Sequence, residues 1–234
     1  MNSILTTRAQ RRAFRSNTRR ASKKATHTTP ARGKHHVANV AFVSKFGTDY
    51  HTWAAALLLR HGLPSYTRNT AIAHEAGHAI AALSLGAVAT AAEIFEDRAG
   101  VWLGWNDVTW PEENRPGRTI DALKEPTLAV HALTYILAGL AGEQLVGFDH
   151  QAACLDEAYE ALRICLSVAQ VRGLDACVLI EKLLASARER IRRNAPLFEV
   201  ICEHLDGAGS IDAETVARLK AENGVEIMPC AALW

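Results

Sequence analysis

A mainly helical domain of the α+β class, with one small β-sheet and a disordered basic arm ahead of it, is the architecture this sequence predicts. Three observations lead there. Apolar residues recur at helical spacing through most of residues 69–225, as in Leu133, Ile136, Leu137 and Leu140. Strand-like texture is confined to residues 92–110, where Ile94, Phe95, Val101, Trp102, Trp105, Val108 and Trp110 gather around a turn. The first 36 residues carry paired basic side chains and few large apolar ones, too little to build a core.

The arm, residues 1–36, holds Arg11-Arg12, Arg19-Arg20 and Lys23-Lys24. Before Asp49 there are 11 Lys/Arg and no Asp/Glu, whereas the rest of the chain has 15 basic and 25 acidic residues. The net charge of +1 therefore conceals a basic arm joined to an acidic domain. An organellar transit peptide, a nucleic-acid-binding arm and a membrane-surface anchor all fit such a composition, and simple solvation fits it as well as the three together. Only Phe14 interrupts the basic runs with an aromatic ring, which gives a base-stacking role little support.

No apolar segment of secretory type lies in residues 1–30, so the expected location is cytoplasmic, or organellar if the arm is a transit peptide. Trp53–Leu59 is far shorter than the ~20 apolar residues of a spanning helix, and no transmembrane span is expected. The five cysteines (Cys154, Cys165, Cys177, Cys202, Cys230) lack zinc-ribbon spacing and read as scattered buried thiols of a reducing compartment.

Residues 37–68 form a lead-in with a helix around Thr52–His61, stopped by Gly62 and Pro64. A helix over about 70–85 follows, with Asn69-Thr70 as its cap, an apolar stripe of Ile72, Ala76, Ile80 and Leu83, and Gly86 as its stop. Glu96–Gly100 is the turn of the β region, and Pro111–Gly117 is a polar loop. A second stripe runs through Leu155, Ala158, Leu162, Cys165, Leu166 and Ala169. Helices over Val178–Ile191 and Pro196–Leu205 follow, then a short one after Ser210-Ile211-Asp212. The organisation is an arm (1–36), a lead-in (37–68), the main domain (69–225) and a C-terminal tail (226–234).

The most chemically specific segment is His74-Glu75-Ala76-Gly77-His78. Residues four apart share a helix face, so His74 and His78 can offer imidazole nitrogens to one metal ion. Zn²⁺ is the expected metal, because borderline imidazole donors in a tetrahedral site suit it. Glu75 is left for the general base that takes a proton from a metal-activated water. Tetrahedral zinc with one open position needs a third protein ligand. Ala79–Gly86 supplies none, and the candidates downstream are Asp149, His150, Asp156 and Glu157. His131, His150 and His204 have no ligand spacing and read as surface or boundary histidines. Gly77 reads as a packing residue, and Glu143 as a partner orienting a zinc ligand or pairing with a base.

Ala73-His74-Glu75-Ala76-Gly77-His78-Ala79 resembles the zinc-site helix of the FtsH-type AAA-linked metalloproteases. In the family's order, Leu103-Gly104-Trp105 with Trp110-Pro111-Glu112-Glu113 resembles its edge strand and Pro-acidic loop. Leu137–Gly147 resembles its Gly-Arg-Ala-Ala-Glu-Glu helix, and Ala153–Ala158 its distal aspartate segment. The resemblance covers about residues 69–222.

It implies a zinc endopeptidase acting on unfolded or flexible polypeptides, with Asp156 as third ligand beside His74 and His78. It also implies that the strand Val101, Trp102, Leu103, Gly104 and Trp105 binds substrate by strand addition, with Trp102 and Trp105 shaping a pocket or serving as core aromatics. A ring-shaped homo-oligomer or a separate ATPase partner is implied too, since this chain has no phosphate loop and only 68 residues before the zinc helix. Leu140 stands where the family has Arg, and Ala152 where it has Gly; both leave the metal chemistry intact. A non-catalytic peptide-binding or regulatory module with a peptidase fold is the alternative.

Overall fold

The structure is a computed structural model, and it describes residues 67–97, 100–111, 126–147, 155–228 and 230. The chain divides into two units, Met1–Ser65 and Tyr66–Trp234, and all described residues belong to the second. The basic arm, the Thr52–His61 helix, most of the polar loop, Asp149, His150 and Cys154 lie outside the described residues.

The second unit is mostly helical with one small antiparallel sheet. Its elements are α1 (Arg68–Ser84), β1 (Ala89–Glu96), β2 (Trp102–Thr109), α2 (Pro126–Ile136), α3 (Ala138–Leu145), α4 (Leu155–Arg172), α5 (Ala176–Arg193), α6 (Ala195–Ala208), β3 (Ser210–Ile211) and α7 (Ala213–Asn223). Sheet order is β2-β1-β3, so β2 has a neighbour on one side only among the described residues.

Helix α1 is the centre of this unit. It starts at Arg68, before the Asn69-Thr70 cap read from sequence, because the Thr67 side chain accepts from the Thr70 backbone N–H. Every residue from Thr70 to Ser84 is buried, so the helix is enclosed on all sides rather than along a single apolar stripe. Small residues make that possible. A Cβ on Gly77 would overlap the Ala138 carbonyl, and one on Gly142 would overlap the Ala73 carbonyl, so α1 and α3 meet backbone to backbone.

One core joins α1 to β1, α3, α5, α6 and α7 through residues such as Ile80, Leu83, Ile94, Ile191, Leu197, Ile201, Leu205 and Val216. A second joins α2, α4 and α5 through Leu133, Leu137, Ile164, Cys165, Val168, Leu179 and Leu183. The stripe around residues 133–140 is broken at Leu137 into α2 and α3, which bend by 41°. No single helix among the described residues is long and apolar enough to cross a membrane.

The sheet exceeds its sequence reading at both ends. β1 begins at Ala89, and β2 runs unbroken through Asn106 to Thr109, in register Ala92↔Asn106 and Ile94↔Gly104. β3 pairs Ile211 with Ala92, although Ser210-Ile211 reads locally as the lead into a helix. Gly209 makes this possible: its φ of 77° ends α6 in the left-handed region, and its carbonyl accepts from Ile94. His131 is another difference. It is buried, 8% exposed, and Cys177, expected as a buried thiol, is exposed instead.

Candidate metal centre

His74 and His78 lie one turn apart on α1, with their Nε2 atoms 3.0 Å apart and ring planes 74° to one another. Each Nδ1 faces an acceptor. His74 Nδ1 is 2.6 Å from Oε1 of Glu143 on α3, and His78 Nδ1 is 2.9 Å from the Tyr135 carbonyl at the end of α2. A carbonyl accepts only, and so does an ionised carboxylate, so both Nδ1 atoms carry the proton. In the neutral rings both Nε2 lone pairs then point inward. The α2–α3 break follows Tyr135, whose carbonyl is the one turned to His78.

Glu157, in the first turn of α4, closes the triangle. Its Oε1 lies 3.1 Å from His78 Nε2 and its Oε2 lies 3.2 Å from His74 Nε2. One ligand atom from each of His74, His78 and Glu157 falls within 4.8 Å of the others, a group that can hold a metal ion. The chemistry fits zinc. Two imidazole nitrogens and a carboxylate oxygen are its usual donors, and bonds of about 2.0–2.1 Å at tetrahedral angles separate donors by about 3.3 Å, close to these spacings. Converging lone pairs repel unless a cation or proton sits among them, which gives the same indication. Burial disfavours the Glu157 carboxylate, but His78 and His74 more than offset it and hold it below the usual carboxylate range.

Asp156, the ligand the resemblance implies, precedes Glu157 on α4, and its side chain lies outside the described residues. Among the described residues, Glu157 completes the donor set.

Glu75 points toward the sheet. Asn106 on β2 donates from Nδ2 to the Glu75 carbonyl at 3.0 Å and also to its carboxylate Oε2. Gly104 lies beside the same side chain, where any Cβ would overlap the Glu75 carboxyl group. Gly139 makes equivalent room for the His74 ring. Burial is the largest influence on Glu75 and raises its carboxyl above the usual range. His74 and His78 oppose this, Glu157 adds to it, and the Asn106 hydrogen bond lowers it again. The Tyr135 ring packs 4.9 Å from His78, and burial together with Glu75 and Glu157 keeps its phenol protonated.

The strand residues expected to bind substrate divide between two faces, because strand side chains alternate. Gly104 and Trp102 share the face toward α1, where Trp102 packs on the core beneath the Arg68 guanidinium. Trp105 lies on the other face and donates from Nε1 to Glu93 across the ladder at 3.0 Å, so the two tryptophans do not line one pocket. Leu103 shares the Trp105 face, and the Val101 N–H donates to Asp97 at the turn. Asn106, Gly139 and Tyr135 were not singled out from sequence. An Asn on the strand opposite α1 and a Gly one turn before Glu143 have no local signal. No protein-family model and no curated protein matches this chain.

Proposed function

We propose that this chain is a zinc-dependent metalloendopeptidase, of the FtsH type its motifs resemble, hydrolysing peptide bonds in unfolded or flexible polypeptides. The observation that carries the reading is the convergence of His74, His78 and Glu157 donors beside the buried carboxyl of Glu75. His74 and His78, through Nε2, and Glu157 would hold the ion. When bound, zinc supplies Lewis acidity, lowering the pKa of a water toward ~7 and polarising a carbonyl.

The other work falls to the protein. Glu75 takes the proton of the attacking water and returns it to the leaving amine, and burial raises its proton affinity toward that of a group able to do both. Glu143 and the Tyr135 carbonyl fix both imidazole orientations. Tyr135, a protonated phenol beside the site, is available to donate to substrate. The edge of β2 that has no neighbour among the described residues can take an extended peptide as an added strand, alongside Gly104 and Glu75. The domain acts on loosely folded chains, or on substrates fed by an ATPase.

Hydrolysis of an unstructured fluorogenic protein by zinc-loaded wild type beside Glu75→Gln tests this. Wild-type activity that disappears in the variant, with zinc still bound, is expected. Equal and negligible signals with zinc retained would overturn it in favour of a peptide-binding module.

A further inference from the structure

We propose that Asn106, steadied by a hydrogen bond from Thr90, is a positioning residue that pins the Glu75 carboxylate in the conformation from which it acts as base. This inference rests on the peptidase reading and adds two residues to it. Glutamate has three rotatable side-chain bonds, and a base must lie within hydrogen-bond reach of the proton it removes. The Asn106 amide group spans two acceptors of one residue, the Glu75 carbonyl at 3.0 Å and its carboxylate Oε2, so it grips both ends of that side chain. Gly104, two residues earlier on the same face of β2, leaves space for the carboxyl group and nothing more.

The grip depends on which way the amide faces. A flipped amide would turn Oδ1 toward the Glu75 carbonyl and carboxylate, oxygen against oxygen. The two Glu75 acceptors disfavour that flip, and in the orientation they set Oδ1 faces Thr90 on β1 and accepts from its hydroxyl at 3.2 Å. Thr90 is 1% exposed, so water does not compete for that bond. The register Ala92↔Asn106 and Thr90↔Val108 makes Thr90 and Asn106 diagonal neighbours on the face toward α1. The relay Thr90 to Asn106 to Glu75 is thus built into the β1–β2 pairing, and β1–β2 is held against α1 by the buried side chains of Ala92 and Ile94.

Steady-state hydrolysis by zinc-loaded wild type, Asn106→Ala, Thr90→Val and Thr90→Ser tests the relay, with zinc content measured in each. A displacement of the base by about 1 Å can cost on the order of a hundredfold in rate. Asn106→Ala is expected to lower kcat roughly ten- to hundredfold with KM and zinc content unchanged. Thr90→Val, which keeps shape and loses the donor, should lower kcat severalfold, and Thr90→Ser should restore it. Adding Thr90→Val to Asn106→Ala should change nothing further, because Thr90 works through Asn106.

A second readout does not use turnover: the Asn106 side-chain amide signals of metal-free, nitrogen-15-labelled protein. They should be protected from exchange in wild type and Thr90→Ser, and unprotected in Thr90→Val. An unprotected amide in wild type overturns the relay whatever the activity. So does an active wild type matched by Asn106→Ala, or independent effects of the two substitutions. A zinc-loaded wild type that cleaves nothing while its Asn106 amide stays protected would instead overturn the peptidase reading, and with it the role of the grip.

Discussion

Oε1 of Glu143 sits 2.6 Å from Nδ1 of His74, linking α3 to α1 across 69 residues of sequence. Glu143 is 0% exposed, so this contact holds the imidazole in a fixed tautomer with its Nε2 turned to the candidate metal position. Partners of this kind cost about ten- to hundredfold in metal affinity when altered. Glu143→Gln keeps the shape and loses the charge, so zinc affinity should fall by about tenfold in competition with a chelator. Unchanged affinity would show that the carboxylate does not hold the ring.

Two glycines should separate metal binding from catalysis. A Cβ at Gly139 would overlap the His74 ring, whereas one at Gly104 would overlap the Glu75 carboxyl group. Gly139→Ala should weaken zinc binding. Gly104→Ala should retain zinc and lose most hydrolysis. Each should also cost about 1–3 kcal/mol of stability, as overpacking does. Zinc titration and peptide hydrolysis on both variants check the pattern, and zinc loss in Gly104→Ala alone would contradict it.

His131 gives a pH dependence of known sign. Burial, and then the charge of Arg190, holds its imidazole below the ordinary value. Below about pH 6.5 the unfolded chain binds a proton that the folded protein resists, so this contribution is present above that pH and is lost as pH falls. The urea midpoint of wild type should fall more steeply from pH 8 to 5 than that of His131→Leu, because the variant lacks this loss. Parallel curves would remove His131 from the account.

Arg190 is the largest fully buried side chain among the described residues, and its guanidinium holds the chain that follows α7. It donates to the Met228 carbonyl at 2.7 Å and to the Ser84 carbonyl at 3.3 Å, while the Met228 N–H donates to the same Ser84 carbonyl. Asn194 adds a bond to the Glu226 N–H at 2.7 Å. Arg190→Met should cost about 2–3 kcal/mol, the scale of charged hydrogen bonds removed from a buried site. Limited proteolysis should then cut residues 224–228 faster than in wild type. A destabilised variant with an equally resistant tail would assign Arg190 to the core alone.

Much of this was legible in the sequence, for local reasons. The histidines, Glu75 and the helix that carries them follow from a five-residue pattern with caps and stops nearby. Glu143, open between orienting a ligand and pairing with a base, lies against His74, and Gly77, read as a packing glycine, lies against α3. For a third donor the residues left four candidates open, and the resemblance implied Asp156; that Glu157 faces the two histidines follows from the rotation of α4 about its axis, which is set by packing against α2 and α5 and not by the residues themselves. The two-residue strand β3 was missed because its pairing with β1 crosses more than a hundred residues. Asn106 and Thr90 look like ordinary strand residues until the register sets them on the face that meets Glu75.

The identity of the metal donors is tested most directly by zinc affinity, measured by chelator competition on wild type, Glu157→Gln and Asp156→Asn. We predict one zinc per chain in wild type, at least a tenfold loss of affinity in Glu157→Gln, and no loss in Asp156→Asn. Loss in Asp156→Asn with full affinity in Glu157→Gln would contradict the centre formed by His74, His78 and Glu157.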